Sequence, residues 1–272
     1  MRSSVRVLQT KVRILSVFKR QFFLSLVLID KSGVKMKNIY RFCDINFEIE
    51  FFEEKSALFL KDYKTQGQID YKIKIRKEET DLEHQKNSIM PRWYAECLVT
   101  LVKINKALVE NFNGFVFHAS VIKHDGKAYA ISARSGVGKS SHARFIKEYL
   151  GEKVEYLNDD KPFIRYFEDK RQFVVYGNPW QGKHSLGNND SATLSAVCFL
   201  SRNQKNNTYL VEPKEILKEF LEQVIYPSDL TQADKLLYLI DKLLSSVKLY
   251  KIERTFDLSA GKATAEQVLG LK

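Results

Sequence analysis

Residues 133–140 read Ala-Arg-Ser-Gly-Val-Gly-Lys-Ser, and this stretch constrains the fold more than any other. It follows an apolar run, Ala128 to Ser132, and opens a segment, Lys139 to Leu150, that reads as a helix stopped by Gly151. Gly136 and Gly138 let the backbone curl so that successive N–H groups turn toward one point. The positive end of the following helix, worth roughly half an elementary charge, faces the same point. Lys139 is placed to reach the β/γ-phosphates of a bound nucleotide, and the Ser140 hydroxyl is a hard ligand for Mg²⁺. The stretch fits the Walker A pattern, with Ala133 as the small residue where the first glycine normally stands. Average residue usage produces the four fixed positions by chance in only about a few per cent of chains of this length. Ser135, Gly136, Val137, Gly138, Lys139, Ser140 and Ser141 are therefore the candidate nucleotide-binding residues. Because the loop needs a strand before it and a helix after it, the chain is read as α/β.

A second signal stands 20 residues beyond Lys139, where Asp159 and Asp160 follow the short strand Val154 to Leu157. Adjacent carboxylates can divide the work of a phosphate site: one takes or orients a hydroxyl proton while the other holds a metal ion. Their mutual repulsion also raises one pKa, which helps a general base. Taken alone, an Asp-Asp pair is more simply an acidic turn; its place after a phosphate loop gives it meaning. Metal ligation is assigned to Ser140 and Asp160. His118, within Phe117-His-Ala-Ser120 on the strand leading to the loop, fits a satisfied core histidine as well as one that steadies a carboxylate.

Further along the chain, Ile45, Phe47, Ile49 and Phe51 alternate with polar residues, as do Ile69, Tyr71, Ile73 and Ile75, so two half-buried strands are expected. Lys77 to Lys86 is read as a solvated loop from its charge. Pro91 opens a helix with apolar positions Tyr94, Leu98, Leu101, Val102 and Leu108, ended by Asn113-Gly114. Phe115 to Ile122 is expected as one strand, paired through an Asp125-Gly126 turn with Lys127 to Ser132 as a hairpin. Short strands follow at Phe163 to Phe167 and Phe173 to Tyr176, then a doubly buried one at Leu194 to Leu200. Pro213 opens a helix to about Val224, Ser228 or Asp229 caps another to about Leu244, Val247 to Arg254 is a strand, and a last helix follows Gly261. Trp180, Lys183 and His184 fall on a loop expected near an acceptor, although Trp180 suits core packing equally. Arg134 and Arg202 either touch ligand or project into solvent.

The formal charge of +11 is concentrated at one end: eight basic residues against Asp30 alone put +7 into the first 35 residues, leaving +4 for the other 237. That balance demands no basic groove, so no nucleic-acid partner is expected. Residues 1–35 read as a basic extension, or as upstream sequence before a true start at Met36. The most apolar early run, Phe22 to Ile29, has eight residues and suits a buried strand, not a membrane span. Three scattered cysteines, Cys43, Cys97 and Cys198, point to a reducing compartment, taken as the cytoplasm.

Together, the His-Ala-Ser strand, Ser-Gly-Val-Gly-Lys-Ser and the Asp-Asp pair resemble the catalytic domain of HPr kinase/phosphorylase. Gly177-Asn-Pro-Trp-Gln-Gly182, then Asn189-Asp-Ser-Ala192 with the apolar run to Leu200, resemble its shorter homologues beside peptide-modification genes, such as lasso-peptide precursor kinases. The resemblance covers about residues 89–227. It implies the mixed-sheet P-loop fold shared with phosphoenolpyruvate carboxykinase, flanked by helices, with a β-rich N-terminal portion. It also implies Asp159 as catalytic aspartate, Asp160 as its neighbour and His118 as their support. Departures are visible: Ser141 stands where bifunctional members usually carry Glu, their glycine-rich phosphorolysis signature is absent, and no separate N-terminal domain is evident. HPr as substrate and the reverse reaction are thus not expected. The resulting expectation is an Mg²⁺- and ATP-dependent kinase acting on a hydroxyl, serine of a peptide or small protein foremost, with homo-oligomerisation left open. Alternatives are a small-molecule kinase of the same fold, or a non-catalytic nucleotide-binding or peptide-binding module. The expected organisation is residues 1–35, a β-rich lead-in plus helix over 36–112, and a P-loop core over 113–272.

Overall fold

The computed structural model describes residues 35–226 and 232–271. The expected strand Phe22 to Ile29 and the expected cap at Ser228 or Asp229 lie outside the described residues. Within the described residues the chain is mixed α/β, with two sheets.

The smaller sheet is built from β1 (Met36–Phe42), β2 (Ile45–Phe51), β3 (Lys64–Thr65) and β4 (Tyr71–Lys74) in the order β3-β1-β2-β4. Alternation in β2 buries Phe47, Ile49 and Phe51 on one face, as its pattern requires. Helix α1 (Glu54–Phe59) leads to the 3-10 turn Lys61–Tyr63. Lys77–Lys86 is a helix, α2, and not the loop its charge had implied. Only Thr80 of it is buried. What holds it is polar: Glu79 accepts from the Arg76 amide at 2.9 Å and from Lys103 Nζ at 2.9 Å, and Asp81 accepts from Arg92. A helix polar all round persists when such pairs tie it down. The helix α3 (Arg92–Asn111) buries Cys97, Leu101, Ile104 and Leu108 against the small sheet, while Val102, expected inside, is exposed.

The larger sheet contains β5 (Gly114–Val116), β6 (Ser120–His124), β7 (Lys127–Ser132), β8 (Glu155–Asn158), β9 (Phe163–Phe167), β10 (Gln172–Tyr176) and β11 (Ser191–Arg202), in the order β5-β9-β10-β11-β7-β6-β8. β13 (Lys248–Arg254) lies parallel to β11, and β12 (Asn207–Leu210) pairs with β13. The expected single strand Phe115 to Ile122 is therefore two. β5 pairs with β9, whereas β6 pairs with β7 and β8, and the chain breaks at residues 117–119 to change partners. An unbroken apolar run carries no sign of a partner change. The α4 helix (Lys139–Leu150) packs beside α7 (Leu258–Thr264). α7 starts before Gly261 and not after it; Asp257 caps it by accepting the Ser259 amide at 2.8 Å. Gly261 serves close approach instead, since a Cβ there would lie 2.4 Å from the Phe145 carbonyl carbon. α5 (Pro213–Leu221) and α6 (Ala233–Ser246) cover the other side, burying Phe220, Leu239 and Leu243 in the main core.

A second core crosses from the lead-in to the larger sheet. Phe42, Phe59 and Phe163 surround Trp180 at centroid separations of 6.1, 5.8 and 5.9 Å, and the indole donates to the Cys97 carbonyl at 3.2 Å. Trp180 is thus core, with 1% exposure, and not part of an exposed acceptor loop.

Candidate active site

Strand directions bring the candidate residues together. β6 is antiparallel to both β7 and β8, with Ser120 opposite Ile131 and Val121 opposite Asn158. The carboxyl ends of β7 and β8 and the beginning of β6 therefore share one sheet edge. β11 and β13 run parallel to β7, so Arg202 and Arg254 end there too. Open α/β sheets bind ligands at such carboxyl ends.

From β7 the chain enters the 133–138 loop and then α4. Gly136 and Gly138 take φ of 81° and 116°, the left-handed side that glycine alone enters freely. The loop's carbonyls have partners around it. Ala133 accepts Lys139 Nζ at 3.1 Å, Arg134 accepts the Val137 amide at 3.3 Å, and Gly138 accepts the His142 amide at 2.8 Å. Arg202 takes the carbonyls of Gly136 and Val137, each at 3.0 Å. The amides differ: among the described residues, no backbone carbonyl meets the N–H of Ser135, Gly136, Gly138, Lys139, Ser140 or Ser141. Left-handed glycines, amides without a carbonyl partner and a helix start are the features that anion-binding nests share.

Opposite the loop, β8 ends at Asn158 and turns through Asp159 and Asp160 into Pro162. Asn158 shapes that turn. Its Oδ1 accepts the amides of Asp160 and Lys161, both at 2.9 Å, while its Nδ2 donates to Asn178. Asn178 in turn donates to the Lys161 carbonyl at 2.6 Å. Ser120 Oγ donates to Asp159 at 2.6 Å. His118 Nε2 lies 3.1 Å from Asp160 Oδ1, and Lys161 Nζ lies 2.5 Å from Asp160 Oδ2. The break between β5 and β6 is what aims His118: its amide donates to the Gln223 carbonyl at 2.8 Å, and the Ala119 amide to the Asp160 backbone carbonyl at 3.1 Å.

These surroundings drive the two acids apart. Burial pushes Asp159 above the usual carboxylate range, against the hydroxyl bond from Ser120 and the pull of the nearby Ser140 hydroxyl. Burial acts on Asp160 as well, but the His118 bond and the Lys161 ammonium outweigh it and leave this acid below its ordinary value. Burial also lowers the Lys139 ammonium, opposed by attraction to Asp160 and Asp159.

His118, Lys139, Ser140, Asp159 and Asp160 are thus one constellation, with Ser135 to Gly138 forming its loop and Ser141 in the first turn of α4. Lys183 and His184 sit on the 3-10 turn Gly182–His184 beside it, whose Gly182 faces Asp160. Arg134 leans away onto Glu222, at 3.1 and 3.3 Å. Sequence reasoning gave no role to Ser120, Asn158 or Asn178 and left Arg202 undecided. One signal was available: an asparagine directly before a turn commonly closes it with its side chain. Among the described residues, no group of three or more His, Cys, Asp or Glu side chains is arranged around a metal site, and no helix is long and apolar enough to cross a membrane.

No protein-family model matches the chain, and no curated protein matches it. Among solved structures the chain is similar to the HPr(Ser) kinase/phosphatase from Coxiella burnetii, with 11% identity and a TM-score of 0.30 over 57% of this chain and 91% of that one. A likeness that distant says nothing about substrate.

Proposed function

We propose that this chain is an Mg²⁺-ATP-dependent kinase with a P-loop core of the HPr kinase and phosphoenolpyruvate carboxykinase type. It transfers the γ-phosphate to a hydroxyl, with serine of a peptide or small protein as the favoured acceptor. The observation that carries this reading is one sheet edge holding a nest of open amides, a buried lysine and two carboxylates of split acidity.

The nest binds the triphosphate. Lys139, already turned into the loop, meets the charge that builds on the transferring group. The acceptor oxygen attacks the γ-phosphorus, its proton passes to Asp159, and the bond to the β,γ-bridging oxygen breaks to release ADP. Asp159 suits that step because its raised proton affinity lies nearer the working pH. Asp160 stays ionised and is held in place by His118 and Lys161.

The donor set fits Mg²⁺: the Ser140 hydroxyl and the two carboxylates are hard oxygen ligands, and this ion takes few protein ligands, completing its shell with phosphate oxygens and water. Ser140 and Asp160 would hold it, with Asp159 alongside, and it would supply charge neutralisation on the phosphates.

The test is transfer of label from γ-labelled ATP to a library of serine-containing peptides. Asp159→Asn should abolish transfer while leaving ATP affinity nearly intact, and Lys139→Ala should abolish transfer. Turnover retained by Asp159→Asn would remove that residue from the base role.

A further inference from the structure

The outer wall of the phosphate loop is gripped by a residue that touches none of the catalytic groups. Arg202, the last residue of β11, donates Nε to the Val137 carbonyl and Nη2 to the Gly136 carbonyl, both at 3.0 Å. Its guanidinium lies 5.2 Å from the centroid of the Phe256 ring. Phe256 packs edge-on against Phe145 of α4 at 5.6 Å. The same ring closes over Gly138, where a Cβ would lie 2.8 Å from Phe256 Cε2. Arg202 thus has a fixed backing, although its side chain is at the surface.

A trans peptide is planar, with its C=O and the following N–H pointing in opposite directions. Drawing the Gly136 carbonyl outward turns the Val137 N–H the other way, toward the Arg134 carbonyl that it meets at 3.3 Å. Drawing the Val137 carbonyl outward turns the Gly138 N–H away from Arg202, where no backbone carbonyl among the described residues claims it. A flip of the second plane would turn a carbonyl dipole toward the bound anion in place of the Gly138 amide, and a flip of the first would break the Val137 bond to the Arg134 carbonyl. Glycine on each side of Val137 makes such flips easy. A guanidinium suits this task because its donors form a rigid fork that spans two acceptors, which a lysine ammonium on a flexible stem does not reproduce.

We propose that Arg202 is a positioning residue of the phosphate loop, whose fork fixes two consecutive peptide planes: the first so that the Val137 amide closes the loop on the Arg134 carbonyl, the second so that the Gly138 amide faces the anion. It acts through the backbone and does not contact the ligand. The inference rests on the nucleotide-binding reading above.

The experiment compares the full chain with Arg202→Met and Arg202→Lys in two measurements. The first is amide hydrogen exchange without ligand. Exchange at Val137 and His142, whose amides bond the Arg134 and Gly138 carbonyls of the loop, should quicken roughly tenfold in Arg202→Met, the worth of one to two ordinary hydrogen bonds, while β2 and α3 remain unchanged. The second is Mg²⁺-ATP titration and transfer rate. Affinity should fall roughly tenfold in Arg202→Met and at least about threefold in Arg202→Lys, with transfer at saturating ATP reduced far less, since bound ligand restores the loop. Wild-type protein that fails to bind ATP would sink the nucleotide reading yet leave the exchange test standing. Unchanged loop exchange in Arg202→Met would overturn the role of Arg202. Full affinity in Arg202→Lys beside a loss in Arg202→Met would overturn it too, because charge alone would then explain the effect. If Arg202→Met does not fold, Arg202→Lys decides by the same two readings.

Discussion

Replacing Trp180 by alanine removes the side chain that joins the β-rich lead-in to the sheet carrying the site. The indole is 1% exposed and lies within 6.1 Å, centroid to centroid, of Phe42, Phe59 and Phe163. Truncating a tryptophan so enclosed costs about 3–5 kcal/mol, from lost burial and the cavity left behind. For a chain of this size, each kcal/mol lowers the melting temperature by roughly 2–4 °C, so a fall of roughly 10 °C is expected. Trp180→Phe keeps most of the ring but loses the donor to the Cys97 carbonyl, a loss of about 1–2 kcal/mol. Urea unfolding followed by far-ultraviolet circular dichroism measures both. The effect should extend to the site, because the Trp180 carbonyl accepts the Lys161 amide at 3.2 Å, directly behind the acid pair. Trp180→Ala should therefore transfer phosphate more slowly even when fully folded. Trp180→Ala within about 1 kcal/mol of wild type, or equal losses in the alanine and phenylalanine variants, would refute the packing argument.

Other expectations follow from single residues. Gly138→Ala should weaken ATP binding severely, since it combines a φ of 116° with a 2.8 Å clash against Phe256 and strain of about 1–3 kcal/mol. Gly126→Ala, at φ 69° with open space around it, should cost only about 1 kcal/mol and leave binding intact, as calorimetry can show. Asn158→Ala strips the Asp160 amide of its acceptor, leaves the Lys161 amide with the Trp180 carbonyl alone, and should cost about 1–3 kcal/mol in urea unfolding while slowing transfer. Burial raises Asp159, so this acid binds protons more tightly folded than unfolded, and its contribution to stability falls as pH rises from the ordinary aspartate range through the raised value. Asp159→Asn should lack that decline and melt higher at neutral pH, although it transfers nothing; a lower melting temperature would contradict the assignment.

Where local pattern decided the outcome, the sequence was a sound guide. The helix Lys139–Leu150 and the strands Phe163–Phe167 and Lys127–Ser132 follow from periodicity, glycine stops and turn residues. The turn before that helix was legible because Gly136 and Gly138 stand where the backbone takes left-handed φ values. The misreadings share a cause: they depend on partners distant in sequence. α2 looked like a loop because its support comes from Arg92 and Lys103 on another helix and not from an apolar face. The break at His118 arises because the chain leaves β9 for β7 and β8. Gly261 was taken as a helix boundary, whereas it lets α7 approach the backbone of α4. The grip of Arg202 joins residues 65 and 66 positions apart, beyond the reach of any local signal.

The central claim concerns the amides of residues 135–141. Backbone amide resonances followed by NMR while Mg²⁺-ATP is added test it directly. Saturable shifts centred on Ser135 to Ser141, accompanied by Ser120 and Asp159, are the predicted result. Saturable binding that leaves those amides unmoved and perturbs another face of the protein would contradict it.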